Sequence, residues 1–109
     1  MKNSFDEKIL DEANDWVVAS KSVILATTIK TWGSSARPIG SKMIVNEKGD
    51  FSGSVSGGCV ESAVVSESLD LIKENKSFKK IEFNVSDKNA WDIGLACGGE
   101  IWIFLEKIS

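Results

Sequence analysis

The chain has 109 residues, the length of one ordinary domain. Hydrophobic residues make up 42% of it and charged residues 27%, which is typical of a folded globular protein and excludes a disordered one. The formal net charge of −3 disfavours nucleic-acid binding, because that function needs a basic face.

The sequence features that are absent narrow the expected cellular location and the possible chemistry. No apolar run is long enough to span a bilayer, and the polar first six residues lack the apolar stretch of a signal peptide. We therefore expect a cytoplasmic protein, not associated with a membrane, whose cysteines are reduced. The sequence has no His, so thiols, carboxylates, Lys, hydroxyls or the backbone must carry any chemistry.

The first predicted element is a helix over residues 4–20. Apolar residues recur there at helical spacing and form one stripe. The stripe consists of Phe5, Ile9, Ala13, Trp16 and Val17. Residues 22–32 follow and predict a strand, because Val, Ile, Leu and Thr dominate them. Residues 42–46 and 51–55 predict a hairpin, with Gly49 at a left-handed position of its turn.

The second half of the chain predicts one more main helix and two strands. The helix follows Cys59 and ends near residues 75–76, and the strands cover residues 80–85 and 100–105. The long connection between these strands has a short helix near residues 88–93. The last strand is apolar on both faces, so we expect an inner strand.

These elements add up to a single domain over residues 1–109. The predicted fold class is α/β or α+β, with one mixed sheet of about five strands and two main helices.

Both cysteines adjoin a glycine pair, in mirror order. Residues 57–59 read Gly-Gly-Cys and residues 97–99 read Cys-Gly-Gly. Because glycine allows positive φ and close backbone approach, we interpret these as two turns that present sulfur at a shared place. The alternative is that both cysteines are small buried hydrophobes.

The segment from Gly53 to Glu61 predicts a strand, a glycine turn and the start of a helix. Free N–H groups at a helix N-terminus attract anions and favour the thiolate form of Cys59. A closed zinc site is not expected, because such sites usually need four Cys or His ligands. Two thiolates suit a soft metal, a redox pair or a sulfur-bearing cofactor.

Arg37 is the single arginine of the chain and lies in a loop rich in Gly and Ser. A guanidinium surrounded by hydroxyl and N–H donors suits phosphate binding, although a solvated surface arginine is an equal alternative. The spacing from Gly33 to Lys42 does not match a Walker A loop.

Together, three motifs in this order resemble the XdhC/CoxI family. Residues 33–40 read GSSARPIG, residues 53–61 read GSVSGGCVE, and residues 85–99 read VSDKNAWDIGLACGG. Members of that family are accessory factors of molybdenum hydroxylases such as xanthine or CO dehydrogenase. The resemblance implies a cofactor-binding chaperone rather than an enzyme. Such a protein binds the molybdenum cofactor (molybdopterin), assists its sulfuration and delivers it.

The resemblance also implies partners. They are an apo molybdenum hydroxylase, a cysteine desulfurase and, through self-association, a second copy in a homodimer. Many members continue into a Rossmann-type domain that is absent here, so a separate Rossmann-domain subunit is a further expected partner.

The implied cofactor-binding residues come from all three motifs. They are Ser34, Ser35, Arg37, Gly40, Ser56, Gly57, Gly58, Cys59, Glu61, Cys97, Gly98 and Gly99. Arg37 and its neighbours would hold the phosphate, while Cys59 and Cys97 would approach the molybdenum. Two alternatives remain: a thiol-based redox or sulfur-transfer protein that uses both cysteines, and an interaction module that dimerises through a sheet edge.

Overall fold

The structure is a computed structural model, and it describes residues 4–20, 22–32, 38–56, 60–84 and 100–109. Two helices and five strands lie in these ranges. In chain order they are α1 (Ser4–Ala19), β1 (Val23–Trp32), β2 (Lys42–Asn46), β3 (Phe51–Gly53), α2 (Glu61–Lys73), β4 (Phe78–Asn84) and β5 (Glu100–Lys107). The predicted short helix near residues 88–93 lies outside the described residues.

The strands form one sheet in the order β3-β2-β1-β5-β4. All four pairings between neighbours are antiparallel, so the α+β alternative of the predicted fold class is confirmed, with five strands and two helices. The described sheet is antiparallel and not mixed. A parallel pair needs a crossover between adjacent strands. Here the α2 connection joins β3 to β4, which are the two edges of the sheet and never meet. The predicted inner position of β5 is confirmed, since β5 pairs with both β1 and β4.

The larger core lies between α2 and one face of the sheet. Its residues alternate along the strands and recur along the helix, as buried positions should. They are Ile24, Ala26, Met43, Val45, Val55, Val60, Val64, Leu71, Ile101, Ile103 and Leu105. Each is at most 1% exposed, so this face forms the main hydrophobic layer.

The second, smaller core lies under α1 on the opposite face. Ile9 and Ala13 pack there against Val23 and Ile44, with Trp16 and other half-buried side chains around them. The predicted apolar stripe of α1 is thereby confirmed for its described members; the side chain of its first member, residue 5, lies outside the described set. Because α1 contacts β1, β2 and β3, it covers only one half of this face.

Some element ends coincide with the predicted ones and the others differ by one to three residues, and local geometry explains two of the differences. Gly53 has a φ of +89° and ends β3 two residues early. Asn75 has a φ of +56°, and the N–H groups of Asn75 and Lys76 donate to carbonyls of the last turn of α2, which stops the helix. Neither described helix is long and apolar enough to cross a bilayer.

Candidate functional site

The carboxylate of Glu61 binds the chain segment that precedes α2. Its Oε2 atom accepts hydrogen bonds from Ser54 Oγ at 2.7 Å, Val55 N at 2.9 Å and Ser56 N at 2.9 Å. Its Oε1 atom accepts a further bond from Ser56 Oγ at 2.6 Å, and Ser56 Oγ accepts one from Val60 N at 3.0 Å. We call this set of residues, 54–56 with 60 and 61, the Glu61 clamp. It fixes the chain on both sides of residues 57–59.

The electrostatics of the Glu61 clamp keep this buried acid ionised. Glu61 is 8% exposed, and burial by itself raises the pKa of a carboxyl group. The hydrogen bonds from Ser56, Ser54 and Val55 outweigh that effect and lower the pKa of Glu61 from 4.5 to about 2. The clamp therefore carries a full negative charge at neutral pH.

Thr28 in β1 joins two of the loop segments. Its buried hydroxyl donates a hydrogen bond to Val55 O at 2.8 Å. Its backbone N–H donates to Ser41 O at 2.9 Å, and its carbonyl accepts from Gly40 N at 2.7 Å. One strand residue thus holds the segment that follows the Arg37 loop and the segment that precedes Cys59.

The remaining flanks of the three motifs meet at one end of the sheet. Trp32, at the end of β1, is in register with Glu100 at the start of β5, and Glu100 is in register with Asn84 at the end of β4. Residues 33–37 follow Trp32, and residues 85–99 connect Asn84 to Glu100. Thr28 lies four residues from this end, roughly 13 Å along the strand.

The predicted site residues divide into two groups. Gly40, Ser56 and Glu61 are described, and the structure gives them the contacts reported above. The others lie outside the described residues, so their roles stay predictions. They are Ser34, Ser35, Arg37, Gly57, Gly58, Cys59, Cys97, Gly98 and Gly99. Ser56 and Glu61 bind each other, while Gly40 is connected to them through Thr28.

Sequence reasoning missed Thr28 and Ser54. The signal for Thr28 was a polar residue inside an apolar strand, but no spacing rule pairs it with Val55, which is 27 positions away. Ser54 lies inside the second of the three motifs, yet its residue type alone gives it no role. Its hydroxyl becomes significant only when the turn brings it to Glu61.

A cavity of about 420 Å³ lies beside the Glu61 clamp. It is lined by Phe51, Gly53, Ser54, Glu61 and Ser62. This volume is within the usual range for small-molecule sites. Within the described residues there is no cluster of three or more Cys, Asp or Glu side chains that could hold a metal ion.

Residues 16–83 match the XdhC and CoxI family. The chain belongs to this family. It is 37% identical over 101 residues to the molybdenum cofactor insertion chaperone PaoD of Escherichia coli strain K12, an alignment that covers 92% of this chain and 31% of PaoD. It is 30% identical over 91 residues to a probable xanthine dehydrogenase subunit of Bacillus subtilis strain 168, covering 82% of this chain and 27% of that protein.

The fold of this XdhC and CoxI chain also has a solved counterpart. A crystal structure of a xanthine dehydrogenase from Bacillus halodurans matches it with a TM-score of 0.74 and 25% sequence identity. The match covers 92% of this chain and 30% of the other. The chain therefore spans less than a third of the length of these relatives. The family membership predicted from the three motifs is confirmed.

Proposed function

We propose that this chain carries the molybdenum cofactor and delivers it to an apo molybdenum hydroxylase of the xanthine dehydrogenase type. The function of PaoD, molybdenum cofactor insertion, supports the proposal by relationship. The structural observation that carries it is the Glu61 clamp. Glu61 is the first residue of α2 and accepts a hydrogen bond from Ser56, so it holds both flanks of the short segment that contains Cys59.

The donor groups of the chain match the chemistry of this cargo. Molybdopterin has a flat pterin, a phosphate and a metal held by sulfur. The lining of the cavity beside the Glu61 clamp includes an aromatic residue, Phe51, and a hydroxyl-bearing residue, Ser62, and we propose this cavity for the pterin. For the phosphate we propose Arg37 with Ser34, Ser35 and Gly40. For the metal we propose Cys59 and Cys97, because thiolates prefer soft metals.

Two finer parts belong to the same proposal. The chain assists sulfuration of the cofactor, with a cysteine desulfurase as the sulfur donor. A separate Rossmann-domain subunit is a further proposed partner.

The decisive experiment measures cofactor binding by the whole chain. Purified protein is mixed anaerobically with molybdopterin released from a molybdenum enzyme, and bound pterin is measured by fluorescence after gel filtration. We expect about one cofactor per chain. Arg37→Ala should weaken binding at least about tenfold, because a charge-assisted hydrogen bond to phosphate is lost, and Cys59→Ala should also reduce retention.

Lys48→Ala is the matched control, since Lys48 is an exposed cation in the β2–β3 turn. Its binding should equal that of the native chain. No binding by the native protein would contradict the carrier function. Full binding by both Arg37→Ala and Cys59→Ala would contradict the proposed ligands. A persulfide on Cys59 without any cofactor affinity would favour the sulfur-transfer alternative.

A further inference from the structure

Strand β4 forms a long edge of the sheet. It has seven residues, whereas β3 at the opposite edge has three. Among the described strands, β4 pairs only with β5. The edge is accessible: Phe78 is 64% exposed, and the side chains of Lys80 and Glu82 are each 47% exposed. A strand of this length that pairs on one side only, as β4 does within the described residues, offers a row of backbone donors and acceptors to another strand.

The hydrogen-bond pattern shows which backbone groups point outward. Lys107 N donates to Ser77 O at 2.9 Å, and these two residues lie directly opposite each other in the β4–β5 register. Because hydrogen-bonded pairs alternate in an antiparallel ladder, residues 79, 81 and 83 also bond to β5. The N–H and C=O groups of Phe78, Lys80, Glu82 and Asn84 therefore point away from the sheet.

We propose that β4 pairs with β4 of a second copy of this chain, antiparallel, about a two-fold axis through Ile81. In this register Lys80 lies opposite Glu82 of the second copy, and Glu82 lies opposite Lys80. Both residues have outward-pointing backbone groups, so each of these pairs can form ladder hydrogen bonds. The overlap includes all seven residues of the strand.

Charge selects this register over its neighbours. A two-fold axis perpendicular to a continuous sheet allows only registers in which paired side chains lie on the same face of the sheet. Moving the axis by one residue therefore changes the partner of each residue by two positions. Moving the axis to residue 80 would place Lys80 against Lys80, and moving it to residue 82 would place Glu82 against Glu82. Like charges directly opposite each other are unfavourable, whereas opposite charges stabilise a pair of strands.

The same two side chains already interact within the monomer. Lys80 Nζ lies 3.1 Å from Glu82 Oε2. In the proposed dimer these two residues and their symmetry mates form a square. Each lysine has a glutamate beside it on its own strand and another opposite it on the partner strand. Charged residues on an edge strand often discourage pairing. Here their alternation discourages the shifted registers and favours this one.

The test is a charge exchange read out as the dimer dissociation constant, measured by analytical ultracentrifugation. Native protein should dimerise reversibly. Lys80→Glu and Glu82→Lys should each raise the dissociation constant at least about tenfold, because each places like charges opposite one another twice. The double variant, Lys80→Glu with Glu82→Lys, should return it to within about threefold of the native value. Lys48→Glu, which makes the same charge change beside β3, should have no effect.

Amide hydrogen exchange tests the pairing without any substitution. Raising the protein concentration should protect the amides of Lys80 and Glu82, and should leave those of Lys79 and Ile81, which already bond to β5, unchanged. Native protein that stays monomeric at all concentrations would overturn the proposal. So would a dimer that survives both single charge reversals, or one that the double variant fails to restore. None of these measurements uses the cofactor, so they stand or fall separately from the carrier function.

Discussion

Glu61 shows how one side chain can organise a turn. An isolated buried carboxylate would be strongly unfavourable, but four hydrogen bonds from Ser54, Val55 and Ser56 compensate for the lost water. Each of those donors also needs an acceptor, because the segment they belong to is largely buried. The charge and the turn therefore stabilise each other, and removing either leaves the other unsatisfied.

Replacing Glu61 by Gln should lower the free energy of unfolding by about 2–3 kcal/mol. The amide removes the charge and can present only one acceptor oxygen, so bonds to a charged group are lost. Denaturant unfolding followed by circular dichroism measures the change. Glu67→Gln is the matched control: Glu67 pairs with Lys79 at the surface, so its replacement should cost less than about 1 kcal/mol. Equal costs for the two variants would contradict the special role of Glu61.

The low pKa of Glu61 predicts an acid-labile contribution to stability. Its pKa is about 2 in the folded chain against 4.5 without the fold, so the stabilisation is complete above about pH 5 and disappears as the pH falls from 4.5 towards 2. The shift corresponds to about 3 kcal/mol. The stability difference between native protein and Glu61→Gln should therefore shrink across this range. A difference that is constant from pH 6 to pH 2 would refute it.

The sequence allowed Glu61 and Ser56 to be selected as site residues, but not their actual contacts. Both are predicted cofactor ligands because they lie in a glycine-rich motif. Their bonds to one another depend on how the turn folds back over five positions, which residue types alone do not determine. The contact between Thr28 and Val55 is even harder to predict from the sequence, since only the assembled sheet brings those two residues together.

At the level of elements, the end of β3 packs unusually closely against its neighbours. Gly53, at its end, has a positive φ, and a Cβ atom there would lie 2.5 Å from Lys42 O and 3.0 Å from the Cδ1 atom of Ile9. Because Gly53 has no side chain, the strand can pack closely against both β2 and α1. The next three residues, 54–56, belong to the Glu61 clamp.

Gly53→Ala should therefore be much more destabilising than Gly40→Ala. Gly40 has a similar φ of +93°, but a Cβ atom added there would meet nothing within 4 Å, so its replacement should cost only the backbone strain, about 1 kcal/mol. Gly53→Ala adds a clash with backbone and should cost at least about 1 kcal/mol more. Thermal and denaturant unfolding of the two variants measure this difference. Similar stabilities for both would show that β3 has room to move.

Local pattern predicted the elements better than it predicted their pairing. The stripe of α1 and the two-sided apolar pattern of β5 gave correct predictions because both depend on the periodicity of a single segment. The described sheet is antiparallel and not mixed because strand direction depends on which edges α2 connects. That is a property of the whole topology, which no single segment determines.

Considered as a whole, the molecule has two cores of unequal size on opposite faces of one sheet. Eleven buried residues lie on the α2 side and four on the α1 side. Because a helix held by few buried contacts opens more easily, α1 should detach from the sheet below the free energy of global unfolding.

Native-state hydrogen exchange can test this order of opening. Ile9→Ala should speed exchange of the α1 amides at least about 30-fold, since loss of a buried Ile typically costs about 2 kcal/mol or more, while the most protected β5 amides change much less. Val18→Ala, on the same helix and 86% exposed, is the matched control and should alter neither. Equal acceleration in α1 and β5 would mean that the two cores open together.

The inner position of β5 has a consequence for synthesis of the protein. The central pairing joins residues 23–32 to residues 100–107, so the middle of the sheet combines the first strand with the last of these elements. While the nascent chain is still on the ribosome, β1 and β4 have no partner between them, and their hydrophobic faces stay unprotected until residues 100–107 emerge. Assembly of the domain must therefore wait for its final strand, and this interval is when the chain most needs shielding from aggregation.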